Sequence, residues 1–270
     1  MNASSSESFS RAALWSTYRC VSTAFERSIR NLQDVKVYHE HFGKAACFGE
    51  ERSAFTSRYH VDKPIPGFKF SDVKGLLEGA FPGYQGVFLK EIAIYLVQSG
   101  KIDFVPNGFH HVFLIRNPVK AIISNYQCLL SENLLTELSE VLPNEAGYRE
   151  LWELYRYIRD VKGQTPMVID ADDDLLCDPA TTMKKFCDFV GFEFKESMLH
   201  WKSGRLEDWS WDDAWYGTVM NSSGFITNEK HPEESASQIN VCSYPAFVQD
   251  AIRDSRSYYE KLHNLRTTHL

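Results

Sequence analysis

Several things that would settle the class of this chain at once are missing from it. Its six cysteines (Cys20, Cys47, Cys128, Cys177, Cys187 and Cys242) form no CxxC pair and no metal-ligand spacing, which speaks against a zinc module or a redox dithiol. The Ser-rich stretch Met1 to Arg11 lacks the apolar run of a secretory leader, so reduced thiols and a cytoplasmic location are expected. No segment approaches the ~20 apolar residues of a membrane span, and strand-like sequence begins by about Ala12, leaving no room upstream for an anchor. Positive charge is also short: the formal net charge is -7, which argues against general affinity for nucleic acid or anionic membrane while permitting a local basic pocket. The sequence G-x-x-x-x-G-K-[ST] is absent, which counts against an ATP or GTP enzyme. So is HExxH, and His39, His41, His110 and His111 lack zinc-site spacing, so no metal is expected.

What is present is an alternation of strands and helices. The 270 residues fit one large α/β domain, here 12–270 after a flexible 1–11. Ala12 to Ser16, Val35 to Tyr38, Gly86 to Lys90, His111 to Ile115 and Met167 to Ile169 read as strands. Helices are expected from Ser22, over Ser71 to Leu77, Ile92 to Val97, from Pro118, over Tyr148 to Val161, Pro179 to Val190 and Ala246 to His263. The strands are apolar throughout rather than alternating, which predicts a mainly parallel sheet flanked by helices on both faces. After Gly191 the chain turns Trp-rich (Trp201, Trp209, Trp211, Trp215) and irregular, with a polar loop from Asn221 to Ser237.

Two segments carry the chemistry. Trp15-Ser-Thr-Tyr-Arg-Cys-Val-Ser-Thr23 is a strand, a tight polar turn and a helix start. A helix N-terminus offers free N–H groups and partial positive charge to an anion. Arg19 adds a planar donor suited to phosphate or sulfate, and Ser22 and Thr23 add hydroxyls. The competing reading is that Ser22 only caps the helix and Arg19 is solvated. The second segment, His111-Val-Phe-Leu-Ile-Arg-Asn-Pro-Val-Lys-Ala-Ile-Ile-Ser124, puts Arg116 at a strand exit and Ser124 on the helix that follows.

In that order, on those elements, the pair resembles the two donor-binding signatures of the P-loop sulfotransferases that use 3'-phosphoadenylyl sulfate (PAPS). The first is similar to the 5'-phosphosulfate loop. The second is similar to the 3'-phosphate signature, R-[ND]-P with a serine eight positions past the arginine. Phe88-Leu-Lys90, Asp174-Leu-Leu-Cys-Asp-Pro179 with Phe189-Val-Gly-Phe192, and a weaker echo in Ser222-Ser-Gly-Phe225 extend the likeness. It implies a three-layer P-loop-like fold and transfer of a sulfuryl group from PAPS to a hydroxyl or amine of a small acceptor. The donor would sit on Arg19, Cys20, Val21, Ser22, Thr23, Arg116, Ser124 and Ser223, with no metal.

Such transfer needs in-line geometry, charge stabilisation on the leaving group and a base for the acceptor. Lys90, at a strand end, is the candidate to stabilise the bridging oxygen. Glu40, ending the second strand at the crevice edge, resembles the carboxylate that several bacterial and Golgi-type members use as base. On an extended strand His39 and His41 would face away from Glu40. His41 or His39 and the neighbour of Lys90, Glu91, stay as alternatives; Ile92 stands where steroid- and phenol-type members have histidine. Val21 and Tyr18 depart from the glycine and proline common in the loop, and valine is tolerated there only with negative φ. The run Asp170 to Asp174 reads as a solvated loop. A nucleotide kinase of the P-loop type and a catalytically inactive nucleotide-binding module are the alternatives. Oligomeric state and acceptor identity have no readable motif.

Overall fold

The computed structural model describes residues 9–59, 62–131, 138–209, 213–227 and 236–266. Trp211 and residues 228–235 of the expected polar loop lie outside the described residues. In chain order the elements are β1 (Ser10–Ser16), α1 (Ser22–Ile29), β2 (Val35–His39), α2 (His41–Phe48), α3 (Phe70–Glu78), β3 (Gly86–Ile92), α4 (Ile94–Val97), β4 (His110–Ile115), α5 (Pro118–Ser131), α6 (Leu138–Glu145), α7 (Tyr148–Asp160), β5 (Met167–Asp170), α8 (Pro179–Val190), α9 (Asp213–Met220) and α10 (Ala246–His263).

The described strands form a five-stranded sheet in the order β2-β3-β1-β4-β5, and every pairing is parallel. β3 is buried along its whole length, as a strand covered on both faces must be. Period-two alternation divides the sheet between two apolar layers. Ala13, Trp15, Leu89 and Phe113 pack with α2, α3, α4 and α7. Ala12, Leu14, Phe88 and Leu114 pack with α1 and α8. A third cluster joins α5, α6 and α10. The fold is thus α/β, a helix-flanked parallel sheet of P-loop-like form. From β1 the chain crosses to β2 on one side and later to β4 on the other, so a crevice opens at the C-terminal strand ends.

Local sequence explains the sharpest boundaries. Asp178 caps α8, its carboxylate accepting the Thr181 N–H at 3.0 Å. Pro179 occupies the first helical position, and Gly191 ends the helix at φ 77, the pattern of a proline start and glycine stop. β1 starts at Ser10, before the expected Ala12. Ile92 closes β3 rather than opening a helix, and α9 lies where irregular chain was expected. Among the described residues, no helix is long and apolar enough to cross a membrane.

Candidate functional site

A cleft of about 680 Å³ opens at the C-terminal ends of β1, β3 and β4. It is lined by Arg19, Cys20, Val21, Ser22 and Thr23 from the first segment, by Arg116 and Ser124 from the second, and by Glu40 and Lys90. Lys120, Trp215, Tyr216, Tyr18 and Tyr95 also line it; none of these was singled out as a site residue from the sequence.

The loop after β1 does not use serine as a cap. Val21 is the N-cap of α1 and makes no side-chain capping bond, so Ser22 and Thr23 occupy the first turn, where backbone N–H groups have no intrahelical acceptor. The expectation that Val21 keeps negative φ is wrong. Its φ is 66, and that of Arg19 is 62. A β-branched residue in the left-handed region costs about 1–2 kcal/mol, held here by the packing of Val21 against the α1 and α8 layer. Cys20 is buried with its Sγ 3.0 Å from Thr17 Oγ1, and burial pushes its thiol up to about 11, so it is no nucleophile.

The two segments meet. Their strands, β1 and β4, are hydrogen-bonded neighbours in the middle of the sheet. Arg19 Nε donates to Ser124 Oγ at 3.0 Å and Nη1 to the Trp215 carbonyl at 2.7 Å; burial pulls its pKa down. Arg116 Nη1 donates to the Arg19 carbonyl at 3.1 Å. Arg116 Nε and Lys120 Nζ both reach Asp172 Oδ1, at 3.3 and 3.1 Å. The acidic run is therefore not a solvated loop. Asp170 is fully buried and accepts the N–H groups of Asp172 and Asp173. These bonds aim Asp172 at the cations.

Glu40 and Lys90 form a buried ion pair, Lys90 Nζ donating to Glu40 Oε1. The main chain supports it, since Glu40 N–H donates to the Lys90 carbonyl at 2.9 Å. The expected opposition of His39 and Glu40 does not hold. Strand geometry ends at His39, and Glu40 turns left-handed, φ 48. The turn brings His39 Nε2 to 3.8 Å from Glu40 Oε1.

Glu91, His41, His39 and Ser223, all expected as site residues or alternatives, do not line the cleft. Glu91 is on the opposite sheet face from Lys90, as successive strand residues must be. Its Oε2 accepts Phe42 N–H at 2.7 Å and its Oε1 accepts Ile92 N–H at 2.9 Å. It thereby caps α2 from a neighbouring strand, because the N-cap residue Glu40 gives α2 no side-chain bond. Burial, then the charge of Glu40, raises the Glu91 carboxyl to about 8. His41 is half-buried against the Tyr38 ring, donates from Nδ1 to the His39 carbonyl at 3.1 Å, and is lowered to about 4 by burial and Lys44. Ser223 is exposed; its neighbours Ser222 and Gly224 line the cleft instead. The histidines do not gather: His111 accepts Trp15 Nε1–H at 3.0 Å inside the core, while His110 is exposed.

Fold and site together describe a parallel α/β protein with a glycine-free loop after β1 coupled to a strand-end arginine. The family model described as "Sulfotransferase domain" matches residues 10–249, and the chain belongs to that family. Two Arabidopsis thaliana proteins are similar in sequence. Branched-chain-amino-acid aminotransferase-like protein 2 is 29% identical over 232 residues, covering 81% of this chain and 37% of that protein. Branched-chain-amino-acid aminotransferase-like protein 1 is 37% identical over 126 residues, 45% of this chain and 20% of that protein. The chain thus spans well under half the length of either. The sulfotransferase domain from the Synechococcus PCC 7002 olefin synthase shares the fold, with a TM-score of 0.55 at 15% identity over 95% of this chain and 97% of that one.

Proposed function

We propose that this chain is a PAPS-dependent sulfotransferase, one domain that transfers a sulfuryl group to a hydroxyl, or amine, of a small-molecule acceptor. The observation that carries the reading is the convergence of Arg19 and Arg116 on one cleft whose wall also holds the Glu40–Lys90 pair. The donor has an anion at each end of a nucleoside. The first-turn N–H groups of α1, with Ser22 and Thr23, suit its 5'-phosphosulfate. Arg116, Ser124 and Lys120 suit its 3'-phosphate, the group absent from ATP.

In this reading the acceptor oxygen attacks sulfur as the bond from sulfur to the bridging oxygen breaks, leaving 3'-phosphoadenosine 5'-phosphate (PAP). Glu40 takes the acceptor proton. Lys90, released from Glu40, meets the charge that grows on the bridging oxygen. Two groups of opposite sign, held against each other until substrate separates them, suit the two tasks.

Incubating the protein with radiolabelled PAPS and a pooled metabolite extract, with mass detection of any acceptor gaining one sulfuryl group, tests the activity. Label appearing in an organic product supports it. PAP binding with no transfer to any acceptor would instead leave a nucleotide-binding module.

A further inference from the structure

Behind Glu40 the cleft wall continues into a line of buried polar groups with no part in the chemistry above. Glu26, on α1, is fully buried. Its Oε1 accepts from Arg30 Nε at 2.8 Å and from Trp209 Nε1 at 3.4 Å, and its Oε2 lies 2.5 Å from His39 Nδ1. Burial alone would raise this carboxyl, but its hydrogen bond with His39 and the charges of Arg30 and Lys90 together hold it well below its ordinary range. An ionised Glu26 requires Nδ1 to carry a proton and donate it, which fixes the ring's orientation. The other ring nitrogen, Nε2, is 3.0 Å from the Tyr216 hydroxyl and 3.8 Å from Glu40 Oε1. Tyr216 comes from α9 and lines the cleft. A carboxylate orienting a histidine whose far nitrogen faces the reacting group is the geometry that serves acid–base chemistry in unrelated folds.

We propose that Glu26 and His39 are positioning residues that clear the proton from Glu40. The proton that Glu40 takes from the acceptor passes to His39 Nε2: the O–H bond on Glu40 breaks and an N–H bond forms. The imidazolium is then paired with the Glu26 carboxylate, Tyr216 accepts the new N–H, and the proton leaves to solvent with product. Glu40 is again ionised against Lys90. Besides Glu26 and Glu40, the groups around His39 are Arg30 from α1, with Asp208 beyond it, Lys90 from β3, His41 in α2 and Tyr216 from α9.

The inference rests on the proposed function, but its first test does not need turnover. In ¹⁵N-histidine NMR of the full chain, assigned with His39→Gln, the His39 signal is expected to show Nδ1 protonated, to lose its downfield Nδ1 proton in Glu26→Gln, and to shift its titration midpoint in Glu40→Gln. A midpoint identical in wild type and Glu40→Gln overturns the coupling. In PAPS turnover, Glu26→Gln is expected to lower kcat about 10- to 100-fold, with KM for PAPS within about two-fold. It should also lose one limb of the pH profile, and Glu26→Asp should recover part of the rate. A lower rate with an unchanged profile shape overturns the relay and leaves a structural role. PAP calorimetry separates the two readings: PAP preference with an uncoupled His39 sinks only the relay, whereas no preference for PAP over ADP sinks the donor assignment.

Discussion

Arg116 Nη1 donates to the main-chain carbonyl of Arg19 at 3.1 Å, joining the end of β4 to the loop after β1. Arg116 is itself held from behind, since Tyr148 donates its hydroxyl to the Arg116 carbonyl at 2.6 Å. One guanidinium therefore both shapes the first loop and lines the cleft where the proposed donor's 3'-phosphate would lie. Replacing it should cost the nucleotide with a 3'-phosphate far more than the one without. For Arg116→Ala we expect PAP affinity to fall about 10- to 100-fold, the scale of a charge-assisted hydrogen bond. ADP affinity should change by less than about three-fold on the same basis. Calorimetry with both nucleotides measures this, and an equal loss for both would contradict it.

Asp172 competes with any phosphate for Arg116 and Lys120, because one of its oxygens accepts from both. Asp172→Asn removes that charge, so PAP should bind more tightly, by about three- to ten-fold for a partly exposed pair. The salt dependence of PAP binding should steepen. Weaker PAP binding in Asp172→Asn would show that the carboxylate positions the cations rather than opposing the ligand.

Val21→Gly removes a strained valine. Relief of about 1–2 kcal/mol is partly offset by glycine's unfolded-state entropy of about 0.5–1 kcal/mol. The expected result is a Tm higher by about 1–3 °C, read by calorimetric scanning. A lower Tm would show that the branched side chain holds the loop by packing on the layer beneath it.

Glu91 predicts a pH dependence with a definite sign. Its folded pKa, about 8, lies above its ordinary value of 4.5. Its contribution is fully present below about 4.5 and is lost as pH rises through about 8. Tm of the wild type, less that of Glu91→Gln, should therefore decline between pH 5 and pH 8.5. The amide leaves one α2 N–H without an acceptor, a fixed cost of about 1–3 kcal/mol, which sets the offset but not the slope. A difference that is flat across this range would contradict the raised pKa.

Much of the frame was legible because its cues are local. Asp178, Pro179 and Gly191 bound α8 at the residues expected, and the apolar runs in β1, β3 and β4 gave the parallel sheet with its helices on both faces. Several of the failures depended on residues distant in sequence, and others on a single left-handed residue. α2 carries Gly43, and a Cβ there would lie 2.7 Å from the Tyr95 ring; the helix is capped by Glu91 from another strand. The neighbouring positions of His39 and Glu40 follow from a single left-handed residue at a strand end, which period-two alternation cannot anticipate. Asp172 looked solvated because its partners Arg116 and Lys120 lie more than fifty residues earlier. Lys120 was not singled out, although it stands only four residues past Arg116, in the first turn of α5.

The most direct measurement is a crystal structure of the protein with PAP. The 5'-phosphate is expected at the first turn of α1, beside Ser22 and Thr23, and the 3'-phosphate within hydrogen-bonding reach of Arg116 and Ser124. A ribose phosphate lying away from Arg116, or a 5'-phosphate bound elsewhere than the start of α1, would contradict it.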